Sequence, residues 1–319
     1  MDVIVVIVGM TSIGLMGFAN QRGPICTVGA IREIVTEHRF LRLAALMEAA
    51  LWVGGGLVVL DGLGLLPRVP HGYRMGAATV AGGAVFGLGS FINGTCAIGT
   101  IARIGARHWS YLATLVGFAL GSMVMGWQVG PEQLDDRSVV LMASAWLMST
   151  CIVLLIARLL LHGHSIWRAS VQPMRYVWSP HVATTVMGLS FLMVLVTVGS
   201  WSYTDTLAAL VRGTAFDWAL SLLLFTALFV GALIGGWTTD MSGSRLPKGA
   251  PAWRCLIGGI LMGAGAALVP GGNDSLLLVG MPLLLPYAWI AFASMSVTIY
   301  IATVIAWHGR RQAPNASAH

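Results

Sequence analysis

Two stretches of this sequence set a cysteine directly behind a glycine-containing turn in an otherwise apolar chain. One is GFANQRGPICTVGAIREI, from Gly17 to Ile34, and the other is FGLGSFINGTCAIGTIARIG, from Phe86 to Gly105. In each, turn residues end one helical run and the cysteine, Cys26 or Cys96, stands at the start of the next. In the second, Asn93, Gly94 and Thr95 form the polar turn itself. A helix start offers unpaired N–H groups and about half a positive charge, which can hold an anion and ease ionisation of a thiol. The chemistry these residues allow is contact between a thiol and a small anion. The plainer reading is a buried small residue, as free cysteines commonly are, but two alike contexts at matching places favour the functional one. Cys151, inside LMSTCIVLL, and Cys255, near the start of a run, lack that context and read as buried small residues.

Two further breaks carry no thiol. VPGGNDSLLL, from Val269 to Leu278, presents Gly272, Asn273 and Asp274. Asn273 can donate hydrogen bonds to an oxyanion, whereas an ionised Asp274 would repel one. Asp274 reads either as the N-cap of the helix that follows or as a proton-coupling carboxylate, since intramembrane carboxylates often mark ion pathways. TVGSWSYTDT, from Thr197 to Thr206, supplies hydroxyls: Ser200 or Ser202 could line a vestibule, and Asp205 equally suits an ordinary cap. Arg22, Arg103 and Arg107, beside the cysteine breaks, could draw an anion inward, but basic cytoplasmic loops explain them without function.

The elements that must position these breaks lie in a membrane. The 319 residues are 57% hydrophobic and 9% charged, with a mean hydropathy of +0.81, against roughly 25% charged residues in an average soluble domain. Apolar runs of about twenty residues exclude the alternating ten-residue segments of a β-barrel and leave no room for a soluble domain. A basic excess of +6 fits positive-inside loops, not nucleic-acid binding. The cysteines show no C-x-x-C pair, zinc spacing or disulfide framework. No nucleotide, metal or cofactor motif is present, so no cofactor, metal or enzymatic activity is expected. His162 and His164 are too isolated for a metal site. Met1-Asp2 lacks a basic n-region, so the first apolar run is expected to stay as a helix.

Nine runs are long enough, or nearly so, to cross about 30 Å of hydrocarbon: Val3–Ala19, Leu41–Leu65, Met75–Ile92, Trp109–Trp127, Val139–Leu161, His181–Gly199, Trp218–Thr239, Trp253–Val269 and Leu284–Trp307. Four stretches too short to span, Cys26–His38, Cys96–Ala106, Tyr203–Arg212 and Asp274–Met281, read as re-entrant half-helices. Tryptophans near run ends, among them Trp109, Trp127, Trp178, Trp218, Trp253 and Trp307, read as interfacial anchors. With nine crossings, one side holds only Arg68, Arg74, Arg137 and Arg212 of the 18 basic residues. The basic side is then cytoplasmic, with the N-terminus outside and the C-terminus inside.

The order run, half-helix, run, run, half-helix, run occurs twice around a lone fifth run. TSIG at Thr11–Gly14 resembles TTVMG at Thr184–Gly188, and Cys26 follows Gly14 by twelve residues as Ser200 follows Gly188. FGLG before NGTC likewise resembles MGAG, from Met262, before PGGND. The expected fold is a single all-α polytopic domain over residues 1–319. It comprises inverted repeat 1 (about 1–130), a connecting helix (about 139–162) and inverted repeat 2 (about 180–308), an architecture typical of transporters.

QRGPICTVGAIR, NGTCAIGTIARIG and VPGGNDSLLL together resemble the YeeE/YedE family of bacterial inner-membrane proteins, whose characterised members take up thiosulfate and related sulfur compounds. The resemblance covers nearly the whole chain. It implies an hourglass-shaped protein in which cysteines along a constriction relay thiosulfate through transient S–H to sulfur contacts, with Cys26 and Cys96 as relay thiols. The family's further cysteine, in a glycine-rich break of the second half, is replaced here by Gly271-Gly272-Asn273-Asp274. The expected function is uptake of a sulfur-containing anion. The candidate residues are Cys26, Cys96, Asn93, Gly94, Thr95, Gly272, Asn273 and Asp274, and the partners are the anion, membrane lipid and a cytoplasmic sulfur carrier protein. Two alternatives stand beside it: a membrane sensor or signalling subunit that binds a sulfur compound and reports to a cytoplasmic regulator, and a thiol enzyme passing sulfane sulfur to a carrier. The second lacks an evident base.

Overall fold

The computed structural model describes residues 3–23, 25–66, 72–126, 133–134, 138–142, 145–171, 177–214, 217–238, 249–269 and 271–312. Arg68, Arg137, Arg175, Arg245, Lys248, Trp127 and the side chains of His162 and His164, on which parts of the topology and metal reading rest, lie outside the described residues. The elements are α1 (Val3–Arg22), α2 (Thr27–Glu37), α3 (Leu41–Gly62), α4 (Ala77–Asn93), α5 (Ala97–Gly105), α6 (Leu112–Gly126), α7 (Ala145–Val171), α8 (Pro180–Thr197), α9 (Tyr203–Arg212), α10 (Trp218–Thr238), α11 (Ala252–Leu268), α12 (Asn273–Ser275) and α13 (Pro286–Gln312). Among the described residues the only strands are a two-residue antiparallel bridge, Gly72–Tyr73 on Gln133–Leu134.

Local chemistry explains where these helices stop and start. Gly94 (φ +78) and Gly213 (φ +71) terminate α4 and α9 in the left-handed conformation that a side chain disfavours. Ser179 caps α8, accepting from Val182 N–H, with Pro180 at the first helical position. The segment expected as a regular half-helix over Asp274–Met281 differs: only Asn273–Ser275 is α-helical, and Leu276–Gly280 widens into a π turn. Such turns are rare and tend to occur at functional sites. The connecting run is helical from Ala145 to Val171, shifted towards the C-terminus of its expected place.

Among the described residues, six helical stretches are long and apolar enough to cross a membrane: Val3–Glu37, Leu41–Gly62, Ala77–Gly105, Pro180–Thr197, Trp218–Thr238 and Pro286–Gly309. α11 with the segment to Gly280, bent by 53°, makes a seventh if it is one broken span, and Trp109–Met125 and Met148–Leu161 are shorter apolar helices. Large apolar side chains point outward along these stretches, including Ile4 at 74%, Leu51 at 72%, Val124 at 71% and Ile305 at 67% exposure. Water would not tolerate so much outward apolar surface, whereas lipid does. The chain is an all-helical, multi-pass membrane protein.

Small residues let the helices pack. α11 lies against α6 and α4, α13 against α4 and α2, α1 against α8 and α10, α3 against α8, α10 against α5, and α6 against α9. On the α6–α11 seam, a Cβ at Gly117 would stand 2.2 Å from the Leu256 carbonyl oxygen, and one at Gly121 would stand 2.0 Å from that of Ile260. Glycine pairs four apart on both helices, Gly117 and Gly121 facing Gly259 and Gly263, allow this backbone contact. Trp109, Trp218 and Trp253 are exposed near helix ends as expected of anchors. Trp178 instead packs edge-on to Phe18 at 5.7 Å, with its ring nitrogen buried.

Candidate functional site

The first two breaks meet. Cys26 and Cys96 are the N-caps of α2 and α5, both in extended backbone, yet neither thiol caps its own helix. Cys96 N–H donates to Cys26 Sγ at 3.4 Å, and Thr27 N–H donates to Cys96 Sγ at 3.4 Å. Each thiol therefore accepts a backbone N–H at the start of the other's half-helix, so groups that a helix start leaves unpaired are satisfied across the interface. Thr95 Oγ1 adds a contact to Cys26 Sγ at 3.1 Å. Cys96 is fully buried and Cys26 partly so.

Neighbouring residues hold this clasp closed. Asn93 Nδ2 donates to the Thr95 carbonyl at 3.0 Å and to Thr100 Oγ1 at 3.2 Å, and Asn93 Oδ1 accepts from Thr114 Oγ1 at 2.8 Å. Its amide is thus committed to bracing the Cys96 turn against α6, and Gly94 supplies the positive φ that the turn needs. Asn20 Nδ2 donates to the Ile98 carbonyl at 2.7 Å and ties α1 to α5.

The other two breaks meet in the same manner with different chemistry. The expectation that Asp274 caps its own helix is corrected: Gly272 is the N-cap, and the Asp274 carboxylate accepts from Thr204 N–H at 3.2 Å and from the Thr204 hydroxyl, at the start of α9. In return Asp205, in the first turn of α9, accepts from Ser275 Oγ at 2.6 Å. A carboxylate supplies far stronger acceptors than a thiol, and two N-terminal turns carry the donors that satisfy it. Ser202, the N-cap of α9, accepts from Asp205 N–H at 3.1 Å. Asn273 Nδ2 reaches Thr27 Oγ1 at 3.4 Å, so the thiol clasp and the carboxylate clasp touch. Gly272 lies against Thr204, where a Cβ would come within 2.5 Å of Oγ1.

All eight sequence-selected residues therefore fall in these two adjoining clasps. Beside them is a small cavity whose walls include Asn20, Ile98, Trp201, Ser202, Tyr203 and Asp274. Asn20 Oδ1, Asn273 Oδ1 and Trp201 Nε1 are buried with no hydrogen-bond partner among the described residues. Sequence reasoning missed Asn20 and Trp201. Asn20 was legible only as a polar residue in the last turn of an apolar run, and Trp201 looked like any interfacial tryptophan. Arg22, read as a loop charge, is the buried last residue of α1; it donates to Thr238 Oγ1 at 2.8 Å and stacks on Phe18 at 4.9 Å. Arg103 lies over the Tyr111 ring at 5.7 Å.

Outside the clasps, Cys255 is fully buried as expected, but Cys151 is only partly buried on α7. A charged group absent from the sequence reading joins α3, α7 and α8: buried Glu48 accepts from Arg158 Nε at 2.9 Å and bonds His181 Nδ1. Among the described residues, no three His, Cys, Asp or Glu side chains converge as a metal-binding set.

Comparison with known proteins gives this geometry a context. Over 333 aligned positions the chain is 25% identical to the thiosulfate transporter TsuA of Escherichia coli (strain K12), covering 92% of this chain and 93% of that protein. It is 23% identical over 310 positions to the thiosulfate transporter TsuA of Spirochaeta thermophila (strain ATCC 700085 / DSM 6578 / Z-1203), covering 87% and 92% respectively. The model of the sulphur transport family matches residues 22–301, a span that contains both clasps and all four half-helix starts, and the chain belongs to that family.

Proposed function

We propose that this protein takes up a sulfur-containing anion, thiosulfate in the first instance, across the bacterial inner membrane, with Cys26 and Cys96 as successive contacts for its terminal sulfur. The observation that carries the reading is the reciprocal clasp of the two thiols. Each sulfur sits at the starts of two half-helices, α2 and α5, where N–H groups and positive helix ends favour an anion. Thiols make weak, polarisable contacts, and a transported ion requires several weak sites in place of one tight one. Asn93, Gly94 and Thr95 shape the thiol side. Gly272, Asn273 and Asp274 shape the other side, where Asn273, with an unpartnered carbonyl and an amide on Thr27, is the polar group nearest the missing third thiol.

The proposed architecture is nine crossings with four re-entrant pieces in two inverted repeats joined by α7, the N-terminus periplasmic and the C-terminus cytoplasmic. Helix neighbours support the repeat. If α1 to α6 are exchanged in order with α8 to α13, the α1–α10 contact becomes α8–α3, α6–α11 becomes α13–α4, and α2–α13 becomes α9–α6. All six pairs are packed together. The thiol clasp likewise exchanges with the carboxylate clasp. A cytoplasmic carrier that accepts the imported sulfur compound completes the proposal.

Uptake of radiolabelled thiosulfate by cells lacking other importers tests it. Cys26→Ala and Cys96→Ala should each reduce uptake at least tenfold with the protein still in the membrane. Wild-type uptake by both variants refutes the relay, and a protein that binds thiosulfate without accumulating label is a sensor instead.

A further inference from the structure

The carboxylate clasp contains a row of hydroxyls that runs from the protein surface to a buried carboxylate. Asp205 is exposed, and Ser275 Oγ donates to it at 2.6 Å. Ser275 Oγ lies 3.5 Å from Ser202 Oγ, which lies 3.4 Å from Thr204 Oγ1, which in turn donates to Asp274. Asp274 is 4% exposed. Each hydroxyl can donate and accept at once, so such a row can pass a proton by reorienting its hydrogens. At the far end Asp274 lines the cavity shared with Asn20 and Trp201. Asn20 is 2% and Trp201 8% exposed, and the Asn20 carbonyl oxygen and the Trp201 ring N–H have no partner among the described residues.

Anion import makes a proton useful. Each negative charge moved against 100 mV, inside negative, reduces the attainable accumulation roughly 50-fold, so a divalent anion needs a co-moving cation. Direct thiol contacts supply no such coupling. We propose that Asp274 is the proton-coupling site of this transporter, loaded from the surface at Asp205 through Ser275, Ser202 and Thr204, with its carboxyl at the far end of that row on the wall of the cavity it shares with Asn20 and Trp201. The carboxylate takes up one proton on loading and gives back the same proton on release, with no other bond changed. The proposal rests on the transport reading above. The groups facing Asp274 are Asp205 and Tyr203 on α9, and Cys96 at the start of α5 faces Tyr203. Tyr287 on α13 faces Asp205, and Arg212 at the end of α9 is the cation beside Asp205. Protonation of Asp274 therefore relieves repulsion from Asp205 as an anion arrives.

The test uses the full chain in liposomes with a trapped pH dye and radiolabelled thiosulfate. External thiosulfate should acidify the lumen, and a one-unit gradient, acid outside, should raise accumulation about tenfold per coupled proton. Ser275→Ala and Asp205→Asn should retain label counterflow, which needs no proton gradient, while acidifying at a tenth of the wild-type rate or less. Asp274→Asn should move no proton per thiosulfate carried. Wild-type counterflow without acidification overturns proton coupling and leaves the transport reading intact. Absence of wild-type counterflow overturns both. Should Asp274→Asn fail to fold, Ser275→Ala decides: wild-type acidification per thiosulfate in that variant overturns the relay.

Discussion

Gly99 is where one carbon atom should open the thiol clasp. An ideal Cβ at this helical position would lie 2.1 Å from Thr95 Oγ1, 3.0 Å from Cys26 Sγ and 3.1 Å from Cys26 Cβ. The nearest contact cannot stand, so Gly99→Ala forces Thr95 to rotate or Cys26 to retreat. Rotation forfeits the Thr95–Cys26 contact and leaves a buried hydroxyl unpaired, at a cost of about 1–3 kcal/mol. Retreat carries the cost of overpacking, again about 1–3 kcal/mol. Alanine's better helix propensity returns up to about 1 kcal/mol. A net penalty near 1–2 kcal/mol on the clasped arrangement lowers the ratio of clasped to open protein roughly 5- to 30-fold. Thiosulfate uptake should fall, by up to that factor, and in a background lacking Cys151 and Cys255 the remaining thiols should alkylate faster with maleimide. Gly163→Ala is the control, since nothing among the described residues lies within 4 Å of a Cβ there, and it should behave as wild type. If Gly99→Ala has wild-type uptake and wild-type alkylation rates, the clasp does not govern transport.

Gly121→Leu should prevent α6 from closing on the Ile260 carbonyl and abolish the monodisperse peak on size-exclusion chromatography; a normal peak would contradict the packing described. Glu48→Gln removes the negative charge that Arg158 and His181 share and turns one of its two acceptor oxygens into an amide donor. Because the Arg158 side chain is 46% exposed and can turn to solvent or headgroups, thermal unfolding should register about 1–2 kcal/mol, below the 3–5 kcal/mol expected when a fully buried partner is stranded. The Cys151→Ala, Cys255→Ala double variant should retain at least half of wild-type uptake, since neither thiol meets a half-helix start from another break; loss of uptake would extend the thiol path beyond the clasp.

What the chain shows along its length is largely one-dimensional information. Run length against bilayer thickness located the long helices, because an apolar run of that length has few alternatives to a buried helix. Gly, Pro and Asn marked the breaks, since those residues interrupt hydrogen-bonded backbone. Cys26, Cys96, Asn273 and Asp274 stood out as candidates for the same reason: a polar or thiol group at a break is rare in such a chain. How the breaks pair was not legible. The residues that clasp lie about seventy positions apart, as in Cys26 with Cys96 and Thr204 with Asp274, and helix packing brings them together through contacts that hydropathy does not encode. That is why Asp274, expected to cap its own helix, caps α9. It is also why Arg22, expected in a loop, is buried against Phe18 and Thr238, and why Glu48, unremarkable in sequence, joins Arg158 and His181. By itself the sequence determined that the chain is helical, membrane-embedded and interrupted at polar turns. Only the tertiary structure decided which half-helix start satisfies which other, because that depends on where glycine seams let backbones approach.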